Sequence, residues 1–212
     1  MRWFRDRADP RRQLAGRPAH LPGAHPVVVG LPRGGVPVAA EVAAALGAPL
    51  DVVVVRKLGV PARPEVAMGA VGEGGVLVAD DEVRALAGVG AAEFADVAQR
   101  ERRELERRAS LLRRARPRVP LPGRTALVVD DGIATGATAR AACQVVRAQG
   151  AARVVLAVPV CAPRAAGRLR AEVDELVVVA TPGDFSAVGR AYVDFAPVTE
   201  QQVVDLLARG PA

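Results

Sequence analysis

The chain has 212 residues, half of them apolar, a formal net charge of +6 and only 3% aromatic side chains. That is enough for one domain with a sizeable core, and no apolar run approaches the roughly eighteen residues of a membrane span. A basic balance with so few aromatics argues against a stacking platform for nucleic acid and suits a polyanionic small molecule.

Met1-Arg2-Trp3-Phe4-Arg5-Asp6-Arg7 is charged and lacks the apolar stretch of a secretory signal. Cys143 and Cys161 have neither metal-ligand spacing nor a framework of pairs, so they read as small apolar fillers. Both observations lead us to expect a cytoplasmic protein.

Residues 27–31 form a short continuous apolar run closed by Pro32-Arg33-Gly34-Gly35, as expected of a strand buried on both faces that ends in a tight loop. A helix is expected over 38–46 and a second buried strand over 51–55. Arg56-Lys57-Leu58-Gly59 and the Pro- and Gly-punctuated residues up to Gly75 read as a long mobile loop. Lys57 is the sole lysine among 29 basic residues. A compact ammonium there suggests a placed charge on a particular phosphate oxygen.

A short strand follows at 76–79, then helices at 82–87 and 91–115. In the longer helix Phe94, Val97, Ala98, Leu105, Ala109 and Leu112 make a narrow apolar stripe. Nine arginines between Gln99 and Arg118 fit a solvated helix with supporting Glu and Arg spacings better than a nucleic-acid arm. Beyond Pro120-Leu121-Pro122-Gly123 the pattern is strand 125–129, helix 137–148, strand 153–160, helix 164–173 and strand 176–180. Val-rich strands alternating with helices imply an α/β fold with a parallel sheet covered on both sides.

Asp130-Asp131 stands at the carboxyl end of the buried strand 126–129, where open α/β sheets place their ligands. Adjacent carboxylates raise each other's pKa unless solvent, a cation or hydroxyl donors attend them. Ala134-Thr135-Gly136-Ala137-Thr138 then enters a helix with small residues, leaving backbone N–H groups uncovered at the positive end of its dipole. Two acids followed by such a cradle describe a ligand with a diol next to a phosphate, a ribose 5-phosphate. A purely structural account, with Asp131 or Thr135 as helix cap, leaves the other acid without a role.

Two hydrophobic residues, two acids and a Thr-Gly-x-Thr loop, Val128-Val129-Asp130-Asp131-Gly132-Ile133-Ala134-Thr135-Gly136-Ala137-Thr138, resemble the signature of type I phosphoribosyltransferases that binds 5-phosphoribosyl 1-diphosphate (PRPP). The Leu-Pro-Arg-Gly-Gly-Val-Pro-Val-Ala start resembles that of uncharacterised bacterial proteins with this domain. The resemblance implies a doubly wound, mostly parallel sheet in a single domain over 1–212, with a helical insertion at about 82–116 and a small hood at about 182–198. It implies transfer of the phosphoribosyl group to a nitrogen nucleophile, with release of pyrophosphate.

By resemblance, Asp130 and Asp131 attend the ribose hydroxyls and, through substrate or water, Mg2+. Residues Ala134, Thr135, Gly136, Ala137 and Thr138 hold the 5-phosphate. Pro32, Arg33, Gly34 and Gly35 grip the pyrophosphate, the peptide before Arg33 being cis although it does not precede proline. Arg33, Arg56 and Lys57 neutralise the leaving group; as a bare pattern, residues 32–35 read equally as a turn with an exposed arginine.

Phe185 and Asp194 resemble the base-stacking aromatic and following acid of purine enzymes, although the spacing differs by a residue on each side of Val188-Gly189. Phe185, Tyr192 and Phe195 equally read as core aromatics. Ala134 stands where hypoxanthine and guanine enzymes carry an acid and in this resembles adenine enzymes, so a general base would come from elsewhere, with Glu73 or Glu65 as candidates. A nucleobase-like acceptor is implied, no membrane partner is expected, and a homodimer is compatible with the pattern. A PRPP sensor or RNA-binding regulator on the same fold is the alternative.

Overall fold

The computed structural model describes residues 3–16 and 26–210. Met1 and Arg2, from the charged N-terminal run, lie outside them.

Five parallel strands, β1 (Val27–Gly30), β2 (Leu50–Val52), β6 (Thr125–Val129), β7 (Arg153–Val160) and β8 (Glu175–Ala180), form one sheet in the order β2-β1-β6-β7-β8. Alternation along the strands sends side chains to two cores. Val28, Leu127, Val129 and Val155 pack with α2 (Gly35–Leu46) and α7 (Glu200–Arg209) on one face. Val27, Val29, Ala126, Val128 and Leu156 pack with α5 (Ala137–Ala148) and α6 (Pro163–Leu169) on the other. Continuous Val runs are therefore buried on both sides, each side chain stabilising the fold by ~1.5–3 kcal/mol. The sheet is doubly wound, as its sequence pattern predicts.

The expected mobile loop at 56–75 is instead ordered strand. β3 (Val55–Val60) and β4 (Arg63–Gly72) form an antiparallel hairpin, joined by β5 (Val76–Ala79). The glycines that read as loop punctuation are there for close packing: an added Cβ at Gly59 would come within 2.6 Å of the Pro64 carbonyl oxygen. At Gly69 and Gly72 it would run into the Val78 carbonyl and the Val145 side chain. Leu58, Val60, Met68 and Val71 join the α2-side core, so the hairpin is anchored along its length.

Helices α3 (Asp81–Leu86) and α4 (Ala91–Ala115) follow. The buried residues of α4 are the six of the predicted stripe. Three of its seven arginines pair with carboxylates among the described residues: Arg107 with Glu104, Arg108 with Glu200, and Arg113 with both Asp51 and Glu73. The Arg113 network also explains a buried aspartate on edge strand β2, because Asp51 further accepts the Val119 N–H at 2.9 Å. Helix α6 stops at Leu169 rather than Val173, although Val173 remains buried in a turn.

Helix α7 had a readable start. Thr199 accepts the Gln202 N–H at 3.1 Å, and Gln202 accepts the Thr199 N–H at 2.8 Å, a capping box. The short helix α1 (Arg11–Gly16) packs against α2. Before it, Phe4 bridges to Tyr192 and the N–H groups of Val193 and Asp194 donate to the carbonyls of Phe4 and Arg5, so the N-terminal segment completes the hood. Among the described residues no helix is long and apolar enough to cross a membrane.

Candidate functional site

The site grows from the end of β6. The Asp130 carboxyl is pushed well above the usual carboxylate range, first by burial and then by the charge of Asp131. Its Oδ1 accepts the Asp131 N–H at 2.9 Å. Asp131 is itself buried, which raises its pKa, and Arg7 opposes that rise through a 2.9 Å ion pair. The Arg7 guanidinium also lies 3.9 Å from the Phe195 ring centre and donates to the Ala196 carbonyl at 2.8 Å. Tyr192 donates its hydroxyl to the Asp131 carbonyl at 2.6 Å, and burial pushes its phenol up.

The loop after β1 lies directly against this pair. A Cβ at Gly34 would collide with the Asp131 carboxylate, and one at Gly35 would sit 2.6 Å from the Val129 carbonyl oxygen and 2.8 Å from the Asp130 Cα. Residues 32–35 therefore need two glycines because the acids are there, not because a turn is. The Pro32–Arg33 peptide is cis, as the resemblance implies. Arg33 is exposed and makes no ion pair among the described residues.

Beyond the acids, Gly132 packs where a Cβ would meet Val188 and Val160, and the Ile133 N–H bonds the Val160 carbonyl at 2.9 Å. Gly136, with φ 84°, turns the chain into α5 and provides no side-chain cap. Thr135 Oγ1 lies 3.5 Å from the Ala137 nitrogen, and Ala134, Thr135 and Thr138 are exposed. The first turn of this 12-residue helix has no side-chain cap from Gly136, and its Ala137 N–H makes only the long contact to Thr135 Oγ1.

The two basic residues on β3 separate. Arg56 pairs with Glu101 of α4 at 2.7 Å, on the strand face shared with Leu58 and Val60. Lys57 falls on the opposite face by alternation, exposed and without an ion pair among the described residues. Arg56 is thus paired with α4, on the strand face opposite Lys57. Glu73 is likewise not a free base: it is buried and held by Arg113 at 2.7 Å. Glu65 is exposed on β4.

Phe185 is partly buried against the Phe4, Val160, Ala191 and Tyr192 cluster and lines a cavity of about 440 Å³ beside Ala134 and Thr135. Asp194 does not join it. That side chain is exposed and accepts the Ala196 N–H at 3.0 Å, closing a local turn. Tyr192 is a core aromatic, stacked on Phe195 with ring centres 5.0 Å apart. Arg7 escaped sequence reasoning because nothing local distinguishes it from other arginines 124 positions from Asp131.

A model of the phosphoribosyl transferase domain matches residues 11–193. This chain belongs to that family. A curated Mycobacterium tuberculosis H37Rv protein, Rv0571c, provisionally named a phosphoribosyl transferase, is 54% identical over 209 residues, which cover 99% of this chain and 47% of Rv0571c. The chain therefore spans about half the length of the curated relatives it matches. The crystal structure of TT1426 from Thermus thermophilus superposes with a TM-score of 0.93 at 48% identity, covering 100% of both chains. A hypothetical protein from Neisseria gonorrhoeae, solved with bound ppGpp, shares the fold alone, with a TM-score of 0.52, 14% identity, and 87% and 84% of the two chains covered.

Proposed function

We propose that this phosphoribosyl transferase domain binds PRPP and transfers its 5-phosphoribosyl group to a ring nitrogen of a nucleobase-like acceptor, releasing pyrophosphate. One observation carries the reading: the acid pair ending β6 packs against the Gly34-Gly35 loop on one side and leads into an uncapped helix start on the other. A diol between a pyrophosphate and a phosphate matches that order of groups.

In this reading Asp130 and Asp131 accept from the ribose hydroxyls, and the N–H groups of 135–138 with Thr135 and Thr138 hold the 5-phosphate. The N–H groups of 32–35, Arg33 and Lys57 grip the pyrophosphate and stabilise the charge gathering on it as the C1–O bond breaks. Arg56 supports α4 instead, and Phe185 flanks the acceptor ring.

Two carboxylates, one without an ion pair among the described residues, suit a hard divalent ion shared with substrate oxygens, and the described residues include no cluster of three acids, His or Cys that would cage a metal. Mg2+ would be held by Asp130 and Asp131 through ribose or water, and when bound it supplies positive charge to the leaving pyrophosphate.

Calorimetry with PRPP in Mg2+ tests the assignment. Asp130→Asn with Asp131→Asn is expected to abolish binding, and undiminished affinity would sink it. Lys57→Ala is expected to keep binding while turnover falls about 100-fold, and Arg56→Ala to leave turnover within about twofold. PRPP binding without pyrophosphate release from any acceptor would favour a sensor on the same fold.

A further inference from the structure

The cavity of about 440 Å³ beside the phosphate loop is formed by Ala134 and Thr135, by Arg164 after β7, and by Gly183, Phe185 and Ser186 of the hood. Its size is that of a small-molecule site. Its polarity is one-sided. No Asp or Glu lines it, and Asp184 borders a separate small cavity with Arg190 on the other side of Phe185.

Ser186 Oγ accepts from Arg190 Nη1 at 3.0 Å, which leaves the Ser186 O–H free to donate inward. Arg164 is exposed and has no ion pair or hydrogen bond among the described residues. Other exposed arginines, Arg33 among them, also lack an ion pair among the described residues, but Arg164 is the arginine that lines this cavity. Among the described residues Arg164 is the one charged side chain lining this space and can only donate, the Thr135 and Ser186 hydroxyls can donate or accept, and no carboxylate is present to receive a purine's amino or ring N–H group.

We infer that the acceptor is a planar nitrogen heterocycle bearing a carboxylate, which Arg164 binds while Phe185 covers the ring. The inference rests on the PRPP-transfer reading above. A guanidinium meets a carboxylate with two parallel N–H donors, and an arginine without an ion pair in a cavity that no acid lines favours that partner over a neutral amide. The ring nitrogen gives its lone pair to C1 of PRPP as the C1–O bond breaks, and that electron pair leaves on the pyrophosphate oxygen. A proton on the nitrogen, where there is one, passes to water.

The test uses the whole chain with Mg2+ in two stages. Calorimetry first measures PRPP affinity for wild type and Arg164→Gln. Pyrophosphate release is then followed with matched pairs, nicotinate against nicotinamide, orotate against uracil, and imidazole-4-carboxylate against imidazole-4-carboxamide, with adenine and hypoxanthine as neutral bases.

The expected result is that one acid outruns its neutral partner by about 10- to 100-fold in kcat/KM and that Arg164→Gln raises KM for that acid by the same factor, as loss of a charged hydrogen bond should. PRPP affinity should stay within about twofold, and Arg164→Lys should recover part of the loss.

Neutral bases used as well as acids, or no acid used although PRPP binds, would overturn the inference. So would an Arg164→Gln effect on PRPP rather than on the acceptor, since Arg164 would then serve the 5-phosphate. Absence of PRPP binding removes the transferase reading itself, and the two failures are separated by the first stage.

Discussion

The two ends of the site are built differently. The end proposed to hold ribose and phosphate comes from one short run, Asp130 to Thr138, stiffened by a buried strand before it and a helix after it. The end proposed for the acceptor is assembled from pieces far apart in the chain: Ala134 and Thr135, Arg164, the segment around Phe185, and an N-terminal segment whose Phe4 packs on Tyr192. A contiguous motif can hold a constant ligand group with little help, because neighbouring backbone positions set its geometry. A pocket made of separate loops can change one wall without disturbing the others.

That contrast can be broken at its seam. Gly34 belongs to the constant end, yet it is held by contact with Asp131 across the sheet. Gly34→Ala should displace the Asp131 carboxylate and lower kcat/KM by about 100-fold, the usual effect of an ångström-scale misplacement. A variant with unchanged kinetics would mean that the acids do not need the loop.

The hood end should respond through stability first. Arg7→Ala leaves Asp131 buried beside Asp130 without its counter-cation. We expect a loss of ~3 kcal/mol and a fall in Tm of roughly 6–12 °C, read by calorimetry. Arg7→Lys should restore only part of it, since the guanidinium also rests on Phe195 and binds the Ala196 carbonyl.

The smallest effect separates function from folding within the constant end. Asp130 has its folded pKa raised, so the folded state binds its proton more tightly than the unfolded state does. Stability of the free protein therefore falls as pH rises from the ordinary value of 3.8 through the folded one. Asp130→Asn should be more stable than wild type at neutral pH by roughly 1–3 kcal/mol, the gain vanishing near pH 4 and below, while PRPP affinity is lost. Equal stability at all pH values would show that Asp130 carries no such penalty.

Much of the molecule was legible before any coordinates. Strands β6 and β7 and helices α4 and α5 were readable because their Val runs and apolar stripe report burial directly. The hairpin at β3–β4 was misread, since proline and glycine carry the same letters whether they make a loop or permit close packing against Pro64 and Val145. The capping box at Thr199 and Gln202 was present and passed over.

The amino-acid order by itself determined the parallel sheet, the acid pair at its end and the small-residue helix start that follows, because each depends on residues within a few positions of one another. Only the tertiary structure decided that Arg7 pairs with Asp131, that Arg56 and Glu73 pair with α4, and that Arg164 lines the cavity beside Thr135. Charged side chains take their roles from whichever partner folding brings within reach. No local pattern encodes that partner.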